Sequence, residues 1–555
     1  MVPKYVFVTG GVMSGIGKGI TAASTAKLFQ FRGFRVSIVK IDPYLNVDPG
    51  TLNPIEHGEC FVTETVWNFQ PVEGGEIFPI SEIDQDFGAY ERFLGGNIPP
   101  SHNITSGQIY LQTILKERKG EYLGHTVQII PHCTDMIKER IKKVAIDEKL
   151  DVLVIECGGT VGDVESALFL EAIRQLRLEV GRKDTVLMHV TLVPYSAPVG
   201  QLKSKPTQHS VKTLQAAGLQ PDFLVCRAPV DLDTDPSVRA KLSLFSNLPP
   251  EAVISNPDLD CIYELPLIFE RQNLGDSLCF QLDLKPSTSR CITEIADWQQ
   301  TVDLFKNTSM EVTIAMPGKY TGITDSYISI NEALRDAGAH LGADVKINWL
   351  DTETLNEDQV LQADGILNTP GFGSRGVEGM IRCAELAMEH RIPYLGICFG
   401  CQLLYVAYCR KCLGMEGANS TEIDPETPYP VVDKMEEQKA IKFMGGSMRL
   451  AGHTVVLKPG TRIYDAYQQT EVVERFRHRF HIMDSFMEGH EDQGMVISAV
   501  DTSGEIVNAL ELNWDNFFCV GTQFHPEFKS RPFRPSPVYK AFLQAVIDRK
   551  FGSQE

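Results

Sequence analysis

The sequence has 555 residues, of which 43% are hydrophobic and 22% are charged, and its formal net charge is −20. A chain of this length is expected to hold roughly two to four domains with ordinary buried cores. The acidic balance argues against a nucleic-acid backbone as the main partner, because such partners select basic surfaces. We find no basic leader and no apolar run of transmembrane length, and the 13 cysteines are scattered along the chain. We therefore expect a cytoplasmic protein with free thiols and no membrane contact.

The first motif is a glycine-rich loop, residues 9–19, between an apolar strand and a helical pattern at residues 20–31. Its glycines let backbone N–H groups approach phosphate oxygens, and Lys18 adds a full positive charge. The usual Gly-x-x-x-x-Gly-Lys-Ser/Thr spacing is not met, because Val12 replaces the first glycine and Gly19 replaces the hydroxyl residue that binds magnesium. Such a loop can also be a mere turn, but a central lysine favours nucleotide binding. Carboxylates from elsewhere must then hold the magnesium.

Strand and helix patterns alternate in both halves of the chain. Residues 1–285 show apolar strands at residues 35–41, 151–157, 185–193 and 223–227, which predicts βα units around a parallel sheet. Residues 286–310 suggest a linker, and a second α/β pattern fills residues 311–555. Its strands are expected at residues 311–316, 344–349, 365–367, 394–397 and 517–523. The fold class is therefore α/β with two doubly wound domains, whose ligands bind at the carboxyl ends of the strands.

Carboxylates follow the loop in the first half. Glu156 stands at a predicted strand end, and Asp163 and Glu165 follow across a glycine turn, which suits magnesium or nucleotide contacts. Asp84 and Asp86 precede a predicted helix. Such a pair is often only an N-terminal helix cap, but Asp86 is our candidate for the missing magnesium ligand.

A polar segment follows the predicted strand at residues 185–193. It reads Lys203-Ser204-Lys205-Pro206-Thr207-Gln208 and is expected to be irregular. Its lysines, hydroxyls and amide suit an anionic ligand that also forms hydrogen bonds. A solvated charged loop is the alternative.

The second half contains a candidate nucleophile. Cys398 follows a predicted strand in a tight turn, and a helix is expected from about Cys401, so the thiol is exposed and the helix N-terminus favours its thiolate. His525 and Glu527 follow the last predicted strand and supply a base with a carboxylate to orient it. The Gly371-Phe372-Gly373 turn offers backbone N–H groups for an oxyanion hole.

The cysteines near this turn also allow a metal or redox site. Two Cys-x-x-Cys pairs are present, Cys398 with Cys401 and Cys409 with Cys412. They lie closer together than the roughly 15–20 residues that separate the pairs of a zinc ribbon, and the last three fall on one apolar helical pattern. We therefore favour the nucleophile.

Gly-x-Cys-x-Gly-x-Gln with a distal His-Pro-Glu resembles the class I glutamine amidotransferase family. The resemblance implies a glutaminase that forms a thioester and releases ammonia, with Cys398, His525 and Glu527 as its catalytic triad. Around the glutamine it places Gly371, Phe399, Gly400, Cys401, Gln402, Glu422 and Arg479.

The whole chain resembles the CTP synthase family, from the phosphate loop through the segment from Lys40 to Thr51 to the amidotransferase half. The resemblance implies a P-loop-like synthetase (amidoligase) domain at residues 1–285, a linker at 286–310 and a glutaminase domain at 311–555. ATP would phosphorylate the C4 oxygen of UTP, and ammonia would displace phosphate to give CTP in pyrimidine biosynthesis. Also implied are GTP activation, CTP feedback inhibition and a homotetramer, while filament formation is left open.

The same resemblance assigns ligands residue by residue. Lys18 and Lys40 neutralise charge during phosphoryl transfer, with magnesium on Asp86 and Glu156. The ATP set is Ser14, Gly15, Ile16, Gly17, Lys18, Gly19, Asp86 and Arg227. The UTP and CTP set is Ser14, Asp163, Val164, Glu165, Lys203, Ser204, Lys205, Pro206, Thr207, Gln208 and Lys241. An ammonia path is expected near Pro54, His57 and Cys60.

Three segments depart from the family pattern. Residues 65–83 form an insertion-like stretch where a short Asp-Gly turn is usual, and residues 475–481 differ from the usual Arg-His-Arg-His-Arg-Tyr-Glu, which bears on the response to GTP. Pro370 precedes Gly371 where glycine is usual, and the resemblance assigns the oxyanion donors to Gly371 and Phe399.

Two other classes of protein stay open. One is an amidoligase that uses ATP to act on a carboxylate of a biosynthetic intermediate. The other is a catalytically silent assembly or regulatory protein, against which the intact triad argues.

Overall fold

The structure is a computed structural model that describes residues 2–319, 324–434, 448–488 and 491–552, without the side chains of residues 54, 55, 324 and 491. The chain forms two compact units. The first comprises Met1–Asp48, Trp67–Phe78 and Asp86–Val302, and the second comprises Pro49–Val66, Pro79–Gln85 and Asp303–Glu555. Among the described residues, no helix is both long enough and apolar enough to cross a membrane.

The first unit is built on a seven-stranded sheet in which all neighbouring strands are parallel. In sheet order the strands are Val253–Pro257, Phe223–Ala228, Thr185–Leu192, Lys4–Gly10, Val152–Cys157, Val36–Asp42 and Asn103–Thr105. Their side chains are almost all buried, as expected for a sheet with helices on both faces. The predicted strands of this half are confirmed to within one residue at each end.

Helices connect these strands. They are Lys18–Phe31, Asp86–Leu94, Ser106–Arg118, Thr134–Asp147, Ala167–Val180, Lys205–Ala216, Pro236–Ser246, Leu265–Arg271, Leu274–Gln281 and Thr288–Lys306. The last one occupies most of the segment that we predicted as a linker. Its Trp298 is buried, donates a hydrogen bond from Nε1 to the carbonyl of Tyr263 at 2.7 Å, and packs edge-on against Phe31. This part of the segment is therefore a packed helix of the first unit.

The second unit contains a nine-stranded mixed sheet. In sheet order its strands are Ala343–Asp351, Met310–Gly318, Gly365–Asn368, Tyr394–Ile397, Cys519–Thr522, Val507–Leu512, Met495–Val500, Arg449–Leu457 and Glu471–His478. The first five strands are parallel and the others pair antiparallel. The predicted strands of this half are confirmed to within two residues at each end.

The remaining elements complete the second unit. Its helices are Pro54–His57, Ile328–His340, Glu357–Leu361, Val377–His390, Phe399–Lys411, Arg462–Tyr467 and Pro537–Phe551. A three-stranded sheet contains Ala418–Ser420, Tyr429–Lys434 and Phe480–Ile482. Short strand pairs elsewhere in the chain are Tyr195–Ser196 with Gln201–Leu202, and Phe61–Phe69 with Phe78–Ile83, which contains most of the insertion-like stretch.

Candidate active sites

The glycine-rich loop follows the central strand of the first sheet and leads into the helix Lys18–Phe31. Gly15 and Gly17 have φ angles of 72° and 84°, in the left-handed region that glycine adopts freely. Val12 has φ 82°, which strains a β-branched residue by about 1–2 kcal/mol. Lys18 Nζ donates a hydrogen bond to the carbonyl of Gly159 at 3.0 Å. Lys18 therefore lies at the carboxyl ends of the central strands, where we predicted a phosphate site.

A cluster of charged groups lies beside the start of this helix. Lys40 forms an ion pair with Asp86, and the Tyr90 hydroxyl donates a hydrogen bond to Glu156. Burial, and next the nearby carboxylate of Asp86, raises the pKa of Glu156 to about 7, although Lys40 and Lys18 act in the opposite direction. Two carboxylates that disfavour each other's charge are stabilised by a shared cation. Their oxygens are also the donors that magnesium prefers, so these residues fit a magnesium ion.

The same cluster explains why residue 19 is a glycine. A Cβ atom on this residue would lie 2.8 Å from Oδ1 and 2.9 Å from Cγ of Asp86, which is closer than side chains tolerate. Asp86 therefore occupies the space where other phosphate loops hold a serine or threonine. Among the described residues, no group of three or more His, Cys, Asp or Glu side chains could hold a metal ion. A magnesium ion here would complete its coordination with water and substrate phosphates, as is usual for magnesium.

The segment at residues 203–208 is not irregular as we predicted. The helix Lys205–Ala216 begins inside it, and Pro206 fits the first helical turn, where a missing N–H costs no hydrogen bond. Thr207 and Gln208 are buried. The Oγ1 hydroxyl of Thr207 donates a hydrogen bond to the carbonyl of Leu192 at 2.8 Å. Of this segment, Lys205 is the residue that is mostly exposed, while Lys203, Ser204 and Pro206 are half-buried.

The other nucleotide candidates have different degrees of exposure. Ser14 and residues 163–165 are exposed, whereas the side chain of Ile16 is buried, so only its backbone can face a ligand. Arg227 Nη2 lies 2.8 Å from Asp258 Oδ1, and Lys241 is exposed on the helix Pro236–Ser246. The structure thus brings Lys18, Lys40, Asp86 and Glu156 together most closely.

Cys398 occupies a sharp turn between the strand Tyr394–Ile397 and the helix Phe399–Lys411. Its backbone has φ 52° and ψ −98°, an uncommon conformation for a residue with a side chain. The turn is tight, because a Cβ atom on Gly396 would lie 2.6 Å from the carbonyl oxygen of Gly400. The first N–H groups of the helix have no acceptor within the helix, and they favour a thiolate at Cys398.

The predicted base and its orienting carboxylate are in contact. His525 Nδ1 lies 2.7 Å from Glu527 Oε1, and His525 Nε2 is buried without a hydrogen-bond partner among the described residues. Burial disfavours the imidazolium, but the Glu527 carboxylate and Cys398 outweigh burial and raise the pKa of His525 to about 10. The Cys398 side chain is buried, not exposed as we expected, and all three residues line one cavity of about 50 Å³. The structure therefore assembles the predicted triad around a small cavity.

The Gly371–Gly373 turn forms another wall of this cavity. Lys319 Nζ donates to the carbonyl of Phe372 at 3.1 Å, and the Gly373 N–H donates to Glu422 Oε1 at 2.8 Å. Burial lowers the pKa of Lys319 to about 8. None of the described residues accepts a hydrogen bond from the Gly371 N–H. These contacts fix the turn and leave that N–H for a ligand.

Some predicted residues lie outside the cavity lining. Gln402 is buried and donates to the carbonyl of Phe480 at 2.9 Å, and Arg479 lies between the strands Glu471–His478 and Phe480–Ile482. Cys60 lines the cavity, whereas His57 is exposed at the end of the helix Pro54–His57.

Sequence reasoning missed three polar residues of the two sites. Lys319 follows Gly318 at a strand end, which was a usable signal. Tyr90 donates to Glu156, and Gln523 Nε2 lies 3.7 Å from Cys398 Sγ, but neither stands in a recognisable motif.

Comparison with known proteins gives matches along the chain. Residues 4–284 match the family model described as CTP synthase N-terminus, and residues 322–545 match glutamine amidotransferase class-I. A CTP synthase of Caldanaerobacter subterraneus is 46% identical over 556 residues, with 100% of each chain covered. A CTP synthase of Archaeoglobus fulgidus is 48% identical over 546 residues, with 98% of each chain covered. The solved glutaminase domain of Trypanosoma brucei CTPS with bound acivicin is 32% identical, covering 43% of this chain and 94% of that chain at a TM-score of 0.40.

The matches to the two family models and to the full-length relatives define a class, that of ATP-dependent ligases that use glutamine as nitrogen donor. More particularly, the chain belongs to the CTP synthase family. The predicted family, fold class and enzyme class are thereby confirmed. The roles of individual residues stay predictions.

Proposed function

We propose that this chain converts UTP to CTP with ATP, magnesium and ammonia released from glutamine. One observation carries the proposal: a single chain holds a Cys-His-Glu site at a cavity and a separate phosphate loop beside a lysine and two carboxylates. The proposal includes a synthetase domain at residues 1–285, a connecting segment at 286–310 that is mostly the helix Thr288–Lys306, and a glutaminase domain at 311–555. It also includes activation by GTP, feedback inhibition by CTP and a homotetramer.

The glutaminase reaction begins at Cys398. Its thiolate adds to the side-chain amide carbon of glutamine, and the N–H groups of Gly371 and Phe399 stabilise the oxyanion. The His525 imidazolium, oriented by Glu527, gives its proton to the departing nitrogen as the C–N bond breaks. Ammonia leaves and a thioester remains. A water molecule that loses a proton to His525 then adds to the thioester, and cleavage of the C–S bond releases glutamate.

The synthetase reaction begins with the C4 oxygen of UTP, which attacks the γ-phosphorus of ATP as the bond to ADP breaks. Ammonia then adds at C4, and phosphate and a proton leave to give CTP. The ammonium groups of Lys18 and Lys40 stabilise negative charge on the transferring phosphoryl group. Magnesium held by Asp86 and Glu156 would supply a second positive charge for the phosphate oxygens.

A single assay tests this function. The full chain is mixed with UTP, ATP and magnesium, with glutamine or ammonium as nitrogen source, and CTP is followed by absorbance and chromatography. We expect CTP from both sources with the wild type, from ammonium only with Cys398→Ala, and from neither with Lys18→Ala. Thermal unfolding of each variant serves as the folding control. ATP hydrolysis that requires a carboxylate acceptor instead of UTP would refute the proposal, as would synthesis by Lys18→Ala at the wild-type rate.

A further inference from the structure

A second cavity, of about 410 Å³, lies in the first unit and contains no residue of the predicted nucleotide sites. One wall is residues 67–70 of the insertion-like stretch, and another is Gln112 and Lys116 of the helix Ser106–Arg118. The third wall is one face of the helix Thr134–Asp147. Side chains three or four residues apart lie on the same face of a helix. On that face, the lining residues are Met136, Glu139, Arg140, Lys143, Val144 and Asp147.

Arg140 is the charged group at the centre of this face. Its Nη1 donates to Gln108 Oε1 at 2.7 Å, and its guanidinium carbon lies 4.9 Å from the ring centroid of Trp67 and 5.9 Å from that of Phe69. Its Nη2 atom is buried and has no hydrogen-bond partner among the described residues. Burial lowers the pKa of Arg140 to about 9, with no carboxylate acting against it. A buried N–H group without an acceptor is energetically unfavourable, and an anion that accepted a hydrogen bond from Nη2 would remove this cost.

The other charges of the lining limit the kind of anion. The cations Lys116, Arg140 and Lys143 are matched by the carboxylates Glu139, Asp147 and Glu148. A polyphosphate would therefore meet no net attraction, while one carboxylate can be paired locally. Lys143 is exposed and forms no ion pair in the described part of the chain, so its ammonium group is available as a second partner.

The cavity also has an apolar side. The rings of Trp67 and Phe69 lie 4.9 Å apart between centroids in a tilted arrangement, and Met136 and Val144 line the wall that the helix Thr134–Asp147 forms. Polar and charged side chains form most of the lining, so these four apolar side chains give the carbon skeleton of a ligand one surface to pack on. Cavities of this size are typical of small-molecule sites.

We propose that this cavity binds a small organic monocarboxylate, whose carboxylate accepts a hydrogen bond from Arg140 Nη2 and whose carbon skeleton packs beside Trp67. Residues 67–70 belong to the insertion-like stretch and to neither of the two predicted active sites. This site is therefore additional to the proposed synthesis of CTP. Binding at this cavity would also give the insertion-like stretch a role, since the two active sites do not use it.

The probe is 4-fluorobenzoate, measured by ¹⁹F NMR line broadening and by tryptophan fluorescence of the full chain. We expect saturable binding to the wild type, at least about tenfold weaker binding to Arg140→Met, and about threefold weaker binding to Lys143→Gln, as for the loss of charged hydrogen bonds. The control is Arg118→Met, because Arg118 is exposed and does not line the cavity. Its affinity should equal that of the wild type. The neutral analogue 4-fluorobenzamide should bind at least about tenfold more weakly than the acid.

Several results would overturn the proposal. These are absence of saturable binding, equal affinity for the acid and the amide, and equal affinity of wild type, Arg140→Met and Lys143→Gln. Displacement of the probe by inorganic phosphate or ATP, lost in Arg140→Met, would show a phosphate site instead. If thermal unfolding shows that Arg140→Met does not fold, the exposed Lys143→Gln variant and the amide comparison decide.

Discussion

The substitution Gly19→Ala tests whether Asp86 fills the space of the hydroxyl residue that other phosphate loops carry. The new Cβ atom would lie 2.8 Å from Asp86 Oδ1, and Asp86 cannot turn away without losing its ion pair with Lys40. Overpacking of this kind costs about 1–3 kcal/mol, and the better helix propensity of alanine offsets up to about 1 kcal/mol of it. We expect a net loss of about 1–2 kcal/mol in the free energy of unfolding, or roughly 2–8 °C in Tm.

Activity gives a second measurement on the same variant. If Asp86 moves, the magnesium concentration for half-maximal synthesis from ammonium should rise, while glutamine hydrolysis at Cys398 should not change. The matched control is Gly96→Ala, because a Cβ atom on Gly96 would contact nothing within 4 Å. The control should keep the Tm and the magnesium titration of the wild type.

A double-mutant cycle isolates the contact between the two residues. In an Asp86→Ala background the obstructing carboxylate is absent, so Gly19→Ala should no longer lower the Tm. The same loss of Tm in both backgrounds would refute the reasoning, because the penalty would then come from the backbone. An unchanged magnesium titration of Gly19→Ala would show that Asp86 does not hold the metal.

Three further predictions concern single side chains. Glu527→Gln removes a carboxylate that helps to raise the pKa of His525 to about 10, so that pKa should fall and less imidazolium should remain at neutral pH. Glutamine hydrolysis should then fall about 10²- to 10⁴-fold while synthesis from ammonium persists; a pH–rate profile that coincides with the wild type would contradict this. Pro370→Gly should change glutamate release by less than about tenfold, because Pro370 has no N–H to donate and loss of a true donor costs about 10²- to 10³-fold. A gain of about a hundredfold or more in that variant would show that the native turn lacks a working oxyanion hole. Tyr90→Phe removes a hydrogen bond that lowers the pKa of Glu156, so the pKa should rise further above about 7 and synthesis from ammonium at neutral pH should need more magnesium. Identical magnesium titrations of wild type and Tyr90→Phe would exclude this role.

The parts of the molecule that sequence predicted well depend on local patterns. The strand before Cys398 is a short apolar run of four residues that ends in a turn. The turn needs glycines at positions 396 and 400, so a few adjacent residues predict a sharp turn with the nucleophile in it. Lys18 was recognised in the same way, from its position in a glycine-rich loop after a strand.

The parts that were missed depend on contacts between distant residues. Tyr90 and Glu156 are 66 positions apart, and nothing near Tyr90 indicates that its hydroxyl meets a carboxylate. Lys319 reaches the turn at residues 371–373 across more than 50 positions. The space that Asp86 takes from residue 19 is also a property of packing, so the sequence showed a missing hydroxyl without showing its cause. At Lys205 the error was local, because the segment that we expected to be irregular contains the start of a helix, with Pro206 in its first turn.

The backbone conformation of Cys398 has a consequence for evolution in the laboratory. Holding a residue with a side chain at φ 52° and ψ −98° costs about 1–3 kcal/mol, and glycine would adopt the same conformation with little strain. A Cys398→Gly chain should therefore be relieved of this strain while hydrolysing no glutamine, and the loss of a buried side chain and the freedom of glycine in the unfolded chain oppose that gain. Selection of a library of this gene for heat resistance alone would favour relief of this strain and would not protect the nucleophile, so such a selection has to be coupled to growth on glutamine as the nitrogen donor.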